Sequence, residues 1–189
     1  MDSFKIQNHL LHPARHEPSP NHSERPTGTN VDLLVVHNIS LPPGEFGNGC
    51  VDDLFCNRLD HSAHPYFLTL MDLKVSAHLF IDRHGEITQY VPFDRKAWHA
   101  GRSSFMGREN CNEYSIGIEL EGTDDTPYTD LQYQVLVKVT FALMRAYPGI
   151  TPERVVGHQD IAPDRKTDPG PSFDWHRLKA GIVPATTGA

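Results

Sequence analysis

Residues 31–40 read VDLLVVHNIS, an unbroken apolar run from Leu33 to Val36 that stops at His37. A run without alternation is the pattern of a strand covered on both faces, as in sheets with helices packed on each side. A second stretch, YSIGIELEG (114–122), does alternate: Ile116, Ile118 and Leu120 share one face, and Gly117, Glu119 and Glu121 the other. That places the Glu119 carboxylate in mid-strand. Between them, KVSAHLFIDRHGEITQYVP (74–92) predicts a hairpin that turns at Arg83–Gly85.

Helical spacing fills the gaps. In CVDDLFCNRL (50–59), Val51, Leu54, Phe55 and Arg58 recur at three to four residues. The stretch TDLQYQVLVKVTFALMRAYPG (129–149) opens with a capping-box pair, Thr129 and Gln132, and closes at Pro148-Gly149. Its predicted inward stripe is Leu131, Val135, Val139, Ala142 and Ala146. TPERVVGHQD (151–160) predicts a short helix capped by Thr151, then an apolar pair running into His158. Strands interleaved with helices predict an α/β architecture, a mixed central sheet flanked by helices. We expect one domain over residues 31–180, preceded by an extended Pro-rich arm (1–30) and followed by a tail (181–189).

Composition narrows the function. With 189 residues, 38% of them hydrophobic, the chain can bury a core without disulfides. A net charge of -7 argues against phosphate-backbone binding, so nucleic acid is not an expected partner. Three cysteines, Cys50, Cys56 and Cys111, show no CxxC spacing, which fits reduced thiols in the cytoplasm better than a disulfide framework. The first residues lack a signal-peptide pattern and no apolar run approaches a membrane span, so a membrane is not expected either. Of twelve histidines, His9, His12, His16 and His22 fall in the arm and are assigned no function.

Ligand sites in such sheets gather where strands end, and both His37 and His158 close a strand-like run. They are candidate ligands of an open zinc site, which takes three protein donors. His78, His61 and His64 are rivals that close no buried strand next to a loop. The third donor is expected from GHQDIAPDRKTDPGP (157–171), where Asp160, Asp164 and Asp168 compete. Pro169 disfavours a helical Asp168, and in extended chain Lys166 points the same way, so one loop would present a carboxylate ligand and a cation together. Glu119 is the candidate general base for an attacking water, and Lys166 the candidate partner of a developing oxyanion.

The stretches VVHNIS, VSAHLFID, AWHAGRSS, CNEYSIGIELEGTD and GHQDIAPDRKTDPGPSFDW together resemble the AmpD-type N-acetylmuramyl-L-alanine amidases, zinc hydrolases of the amidase and peptidoglycan-recognition superfamily. The resemblance runs from about residue 30 to about 178. It implies one zinc per chain held by His37, His158 and Asp168, with Glu119 and Lys166 catalytic. It also implies a bacterial cytoplasmic enzyme of cell-wall recycling, acting as a monomer on a small-molecule muropeptide. The bond cut would join the lactyl group of 1,6-anhydro-N-acetylmuramic acid to L-alanine. Asn38 and Trp98 are implied near the substrate. Lys74 and Asn110 stand where family arginines meeting peptide carboxylates are expected; lysine keeps the charge without the bidentate fork, and asparagine loses it. Arg102 and Arg108 are possible substitutes. The rival readings are a non-catalytic muropeptide sensor on the same fold and an amidase of polymeric peptidoglycan.

Overall fold

The computed structural model describes residues 4–183. The arm carries four short strands: β1 (Lys5–Gln7), β2 (Leu10–His12), β3 (Arg15–His16) and β4 (His22–Glu24). Then come β5 (Leu33–Ile39), α1 (Cys50–Phe55), α2 (Pro65–Leu68), β6 (Leu79–Ile81), β7 (Ile87–Gln89) and β8 (Arg95–Ala97). The small pair β9 (Ser104–Phe105) and β10 (Arg108–Glu109) precedes β11 (Ser115–Glu121) and α3 (Asp130–Ala146). The chain closes with β12 (Val155–Gly157), α4 (His158–Ile161) and α5 (Trp175–Ile182). The first two residues of the expected tail thus finish α5, and 184–189 lie outside the described residues.

Six strands form the central sheet in the order β12-β5-β11-β6-β7-β3. Strands β12, β5, β11 and β6 run parallel, β6 and β7 form the antiparallel hairpin, and β3 pairs parallel with β7. The hairpin turns through Gly85 at φ +81°, a conformation glycine adopts without penalty. This is the mixed α/β sheet that the patterning implies.

Period-two alternation gives each face a different task. Leu34, Val36, Ile116, Ile118 and Leu120 pack with residues of α3 and α5 into one core. Leu33 and Val35 point the other way, against Ala100, Cys111, Tyr114 and Ile161. A further apolar cluster joins α1 to Phe80, Tyr90 and Val91. His37, Ser115, Gly117 and Glu119 share the parity of Leu33 and Val35, so these groups sit on the face opposite α3.

Helix α3 has the expected capping box: Thr129 Oγ1 accepts from Gln132 N, and Gln132 Oε1 accepts from Thr129 N. Its inward stripe matches the expected one only in part: Val139 is buried and Val135 and Ala142 pack against the core, but the stripe is rotated. The buried positions are Gln132, Tyr133, Leu136, Val139, Thr140 and Leu143, while Leu131 is 48% exposed. The helix is turned because Gln132 Nε2 donates inward to the carbonyls of Ile81 and Glu121, which fixes the face that meets the sheet. At 151–158 the expected helix is a 3-10 turn (Pro152–Arg154) leading directly into β12.

The arm lies on the domain through specific contacts. Leu11 is fully buried in the core, and the Arg25 guanidinium donates to the carbonyls of Phe93, Asn112, Glu113 and Ser115.

Candidate active site

The carboxyl ends of β12, β5 and β11 open onto a cleft of about 610 Å³. Parallel register sets His37 on β5 directly beside Glu119 on β11. Strand β5 runs two residues beyond His37, so this histidine sits inside the strand rather than closing it. His158 is the first residue of α4, immediately after β12. Lys166 and Asp168 follow in the loop, both lining the cleft, and the Asp168–Pro169 peptide is cis. The loop is held at both sides: Asp168 O accepts from Gln159 N, and Pro169 O accepts from Tyr128 Oη at 2.8 Å.

Three donor atoms converge. His37 Nδ1 lies 3.0 Å from His158 Nδ1 and 3.0 Å from Asp168 Oδ2, and His158 Nδ1 lies 3.1 Å from Asp168 Oδ2. The two imidazoles are nearly inaccessible, at 1% and 2% exposure. This trio could hold a metal ion. The hydrogen bonds test the fit. His158 Nε2 contacts the carbonyl of Ala100 at 3.1 Å, which obliges it to donate there and leaves Nδ1 bare in the neutral ring. A bare nitrogen facing a carboxylate oxygen at hydrogen-bond distance is repulsive unless a proton or a cation lies between them. Two imidazoles and one carboxylate are also the donor set of open catalytic zinc sites. The residues fit.

Electrostatics favour the ligating forms. Burial pushes His37 down to about 4, although Asp168 opposes that shift. Burial would raise the Asp168 carboxyl, but the His158 and His37 rings at hydrogen-bond distance outweigh it and hold the group far below the usual range. Glu119 goes the other way: burial and then the Asp168 charge raise it well above its ordinary value, with Lys166 pulling it back. Its Oε2 is buried with no hydrogen-bond partner among the described residues. A carboxylate oxygen left unpaired beside the ligand trio is free to accept a proton from a reactant.

His78 and His99 are held down as well, both by burial first, then His78 by the Arg25 charge and His99 by His37. With His37 they stay neutral in the fold but protonate once unfolded, so the unfolded chain binds more protons below about 6.5. Stability therefore falls with pH in that range. We expect metal-free protein to lose up to about 1.4 kcal/mol per pH unit for each such histidine between pH 6.5 and 4. Thermal melts at constant ionic strength measure this, and a flat profile would contradict it.

The other expected residues divide. Asn38, Lys74 and Trp98 line the cleft. Asn38 Nδ2 donates to Asp124 Oδ1 at 2.8 Å, which fixes its amide. Trp98 is pinned by Nε1 to Ser23 Oγ. Asn110 is not brought to the cleft: it occupies a left-handed turn at φ 57° before the 3-10 helix Cys111–Glu113, and its N–H donates to Ser103 O. Arg165, which the sequence left without a role, does line the cleft, while Arg108 pairs with Asp32 away from it. His99, Asp124 and Arg165 went unread. For His99 a signal existed, because glycine in mid-strand, here Gly117, marks a close approach.

A family model described as N-acetylmuramoyl-L-alanine amidase matches residues 27–171. The chain belongs to that family. It is 60% identical over 173 residues to the 1,6-anhydro-N-acetylmuramyl-L-alanine amidase AmpD of Citrobacter freundii, covering 92% of each chain. Its fold superposes on a crystal structure of a selenomethionine AmpD derivative with TM-score 0.92 at 58% identity, covering 94% of this chain and 99% of that one. The amidase AmiD from E. coli, solved with anhydro-N-acetylmuramic acid-L-Ala-D-gamma-Glu-L-Lys, superposes with TM-score 0.60 at 28% identity, covering 96% and 66%.

Proposed function

We propose that this amidase hydrolyses the amide between the lactyl group of 1,6-anhydro-N-acetylmuramic acid and L-alanine in muropeptides released during cell-wall recycling. The observation that carries the reading is the junction of the His37–His158–Asp168 trio with the unpartnered Glu119 oxygen in one cleft, in a chain 60% identical to an AmpD amidase. His37, His158 and Asp168 would hold one zinc ion. Bound there, zinc supplies Lewis-acid polarisation of the scissile carbonyl, acidification of water and a positive charge that draws Glu119 back toward its ionised form.

The protein's own groups do the rest. Glu119 takes a proton from the attacking water and returns it to the departing amine of L-alanine. The Lys166 ammonium faces the oxygen that gains charge as the carbonyl is attacked. Asn38, its amide fixed by Asp124, presents an acceptor to a substrate N–H, and the Trp98 ring offers an apolar wall to the sugar. Lys74, exposed at the cleft edge, is placed to meet a stem-peptide carboxylate.

Within the described residues no helix is long and apolar enough to cross a membrane. Our reading is of a monomer working in the bacterial cytoplasm on a diffusible substrate. Mass spectrometry of products from 1,6-anhydro-N-acetylmuramyl-tripeptide tests the bond and the metal together. Free tripeptide and the intact sugar acid are expected, with turnover abolished by a zinc chelator and restored by added zinc. Faster turnover of polymeric peptidoglycan than of the anhydromuropeptide would overturn the recycling role.

A further inference from the structure

The outer nitrogens of both histidine ligands meet two consecutive residues. His37 Nε2 lies 2.9 Å from His99 Nδ1, and His158 Nε2 donates to the carbonyl of Ala100 at 3.1 Å. This dipeptide is itself clamped: Asn112 Oδ1 accepts from the backbone N–H groups of His99 and Ala100, at 3.1 and 2.7 Å. Arg165 Nη2 donates to the same Ala100 carbonyl at 2.7 Å. The His99 ring lies flush against β11, where a Cβ at Gly117 would come within 2.4 Å of its Cγ. Its far nitrogen, Nε2, is 3.1 Å from Ser115 Oγ.

We propose that His99 is a positioning residue of the metal centre, accepting the His37 Nε2–H at its own Nδ1 so that His37 Nδ1 is left free to ligate. The inference rests on the metal reading above. The proton inventory follows link by link. A His37 that ligates through Nδ1 carries its hydrogen on Nε2, so His99 Nδ1 must be bare. The neutral His99 ring then carries its hydrogen on Nε2 and donates to Ser115 Oγ. Ligating histidines commonly hand that outer hydrogen to a carboxylate, a backbone carbonyl or water, which orients the ring and raises its basicity. Here His158 uses the carbonyl and His37 uses a neutral imidazole. A neutral acceptor orients His37 without adding negative charge to the centre, which preserves the electrophilicity needed at the scissile carbonyl. One clamped dipeptide thereby sets the tautomer of both imidazole ligands.

Competition for zinc against a chromophoric chelator tests this without reading turnover. His99→Leu removes the acceptor and is expected to weaken zinc binding about 10- to 100-fold, the usual effect of losing such a partner. His99→Asn keeps an acceptor oxygen at the place of Nδ1 and should restore most of that affinity. Zinc binding by His99→Leu equal to that of the unsubstituted protein would overturn the role of His99. An unsubstituted protein that takes up no zinc would overturn the metal reading, and this inference with it. Long-range 15N–1H correlation spectra of the unsubstituted zinc-loaded protein give a measurement independent of any variant's folding. His99 should appear as the Nε2–H tautomer; an Nδ1–H tautomer would refute the arrangement.

Discussion

Glu119→Gln is expected to lower kcat on 1,6-anhydro-N-acetylmuramyl-tripeptide by about two to four orders of magnitude, the range typical of a lost general base. The substitution keeps the shape of the side chain and removes its capacity to take a proton. It should leave zinc content unchanged, since the proposed ligand trio is His37, His158 and Asp168. The fold has reason to tolerate it. Glu119 Oε2 is buried and unpartnered, and burial already disfavours the charged form, so a neutral amide there relieves a desolvation cost. The expectation is therefore paired: Tm steady or higher while kcat collapses. Full retention of hydrolysis with zinc bound would eliminate Glu119 as the base.

Asp168→Asn should be as damaging by another route. The carboxylate is the only negative charge in the trio and lies 3.0 and 3.1 Å from the two imidazole nitrogens. Loss of an outer-shell partner commonly weakens metal binding 10- to 100-fold, so loss of the charged ligand itself should exceed about a hundredfold. Activity at ordinary zinc levels then disappears and returns in part as zinc is raised, which sets this variant apart from Glu119→Gln. Equilibrium dialysis followed by metal analysis measures the change. Unaltered zinc binding by Asp168→Asn would remove Asp168 from the ligand set.

Local patterning carried the sheet because burial on both faces leaves an unbroken apolar run, as in Leu33–Val36, and alternation leaves a readable carboxylate, as at Glu119. It also carried the start of α3, because Thr129 and Gln132 satisfy each other within one turn. The rotation of that helix was not legible. It depends on Gln132 reaching carbonyls of two distant strands, and a buried glutamine looks polar to any periodicity argument. The same limit explains the site. His158, Lys166 and Asp168 are close in sequence and could be grouped by loop stereochemistry. His99 meets His37 across 62 positions, and only the space left by Gly117 hints at it. Asn110 was aligned by its place in a resembling pattern, whereas its backbone is committed to a tight turn and it is not among the residues that line the cleft.

The register that pairs Glu119 with His37 divides labour within the molecule. In the proposed reaction, the separation between proton acceptor and metal ligand is inherited from the spacing of two hydrogen-bonded strands, a length that loop exchange cannot alter. Loops on the rim, which carry Lys74 and Trp98, can drift to accept other peptides while the reaction they feed stays the same. Substrate preference and bond chemistry are thus separately adjustable, and an engineer seeking a new muropeptide preference should vary the rim and leave the strand pair alone.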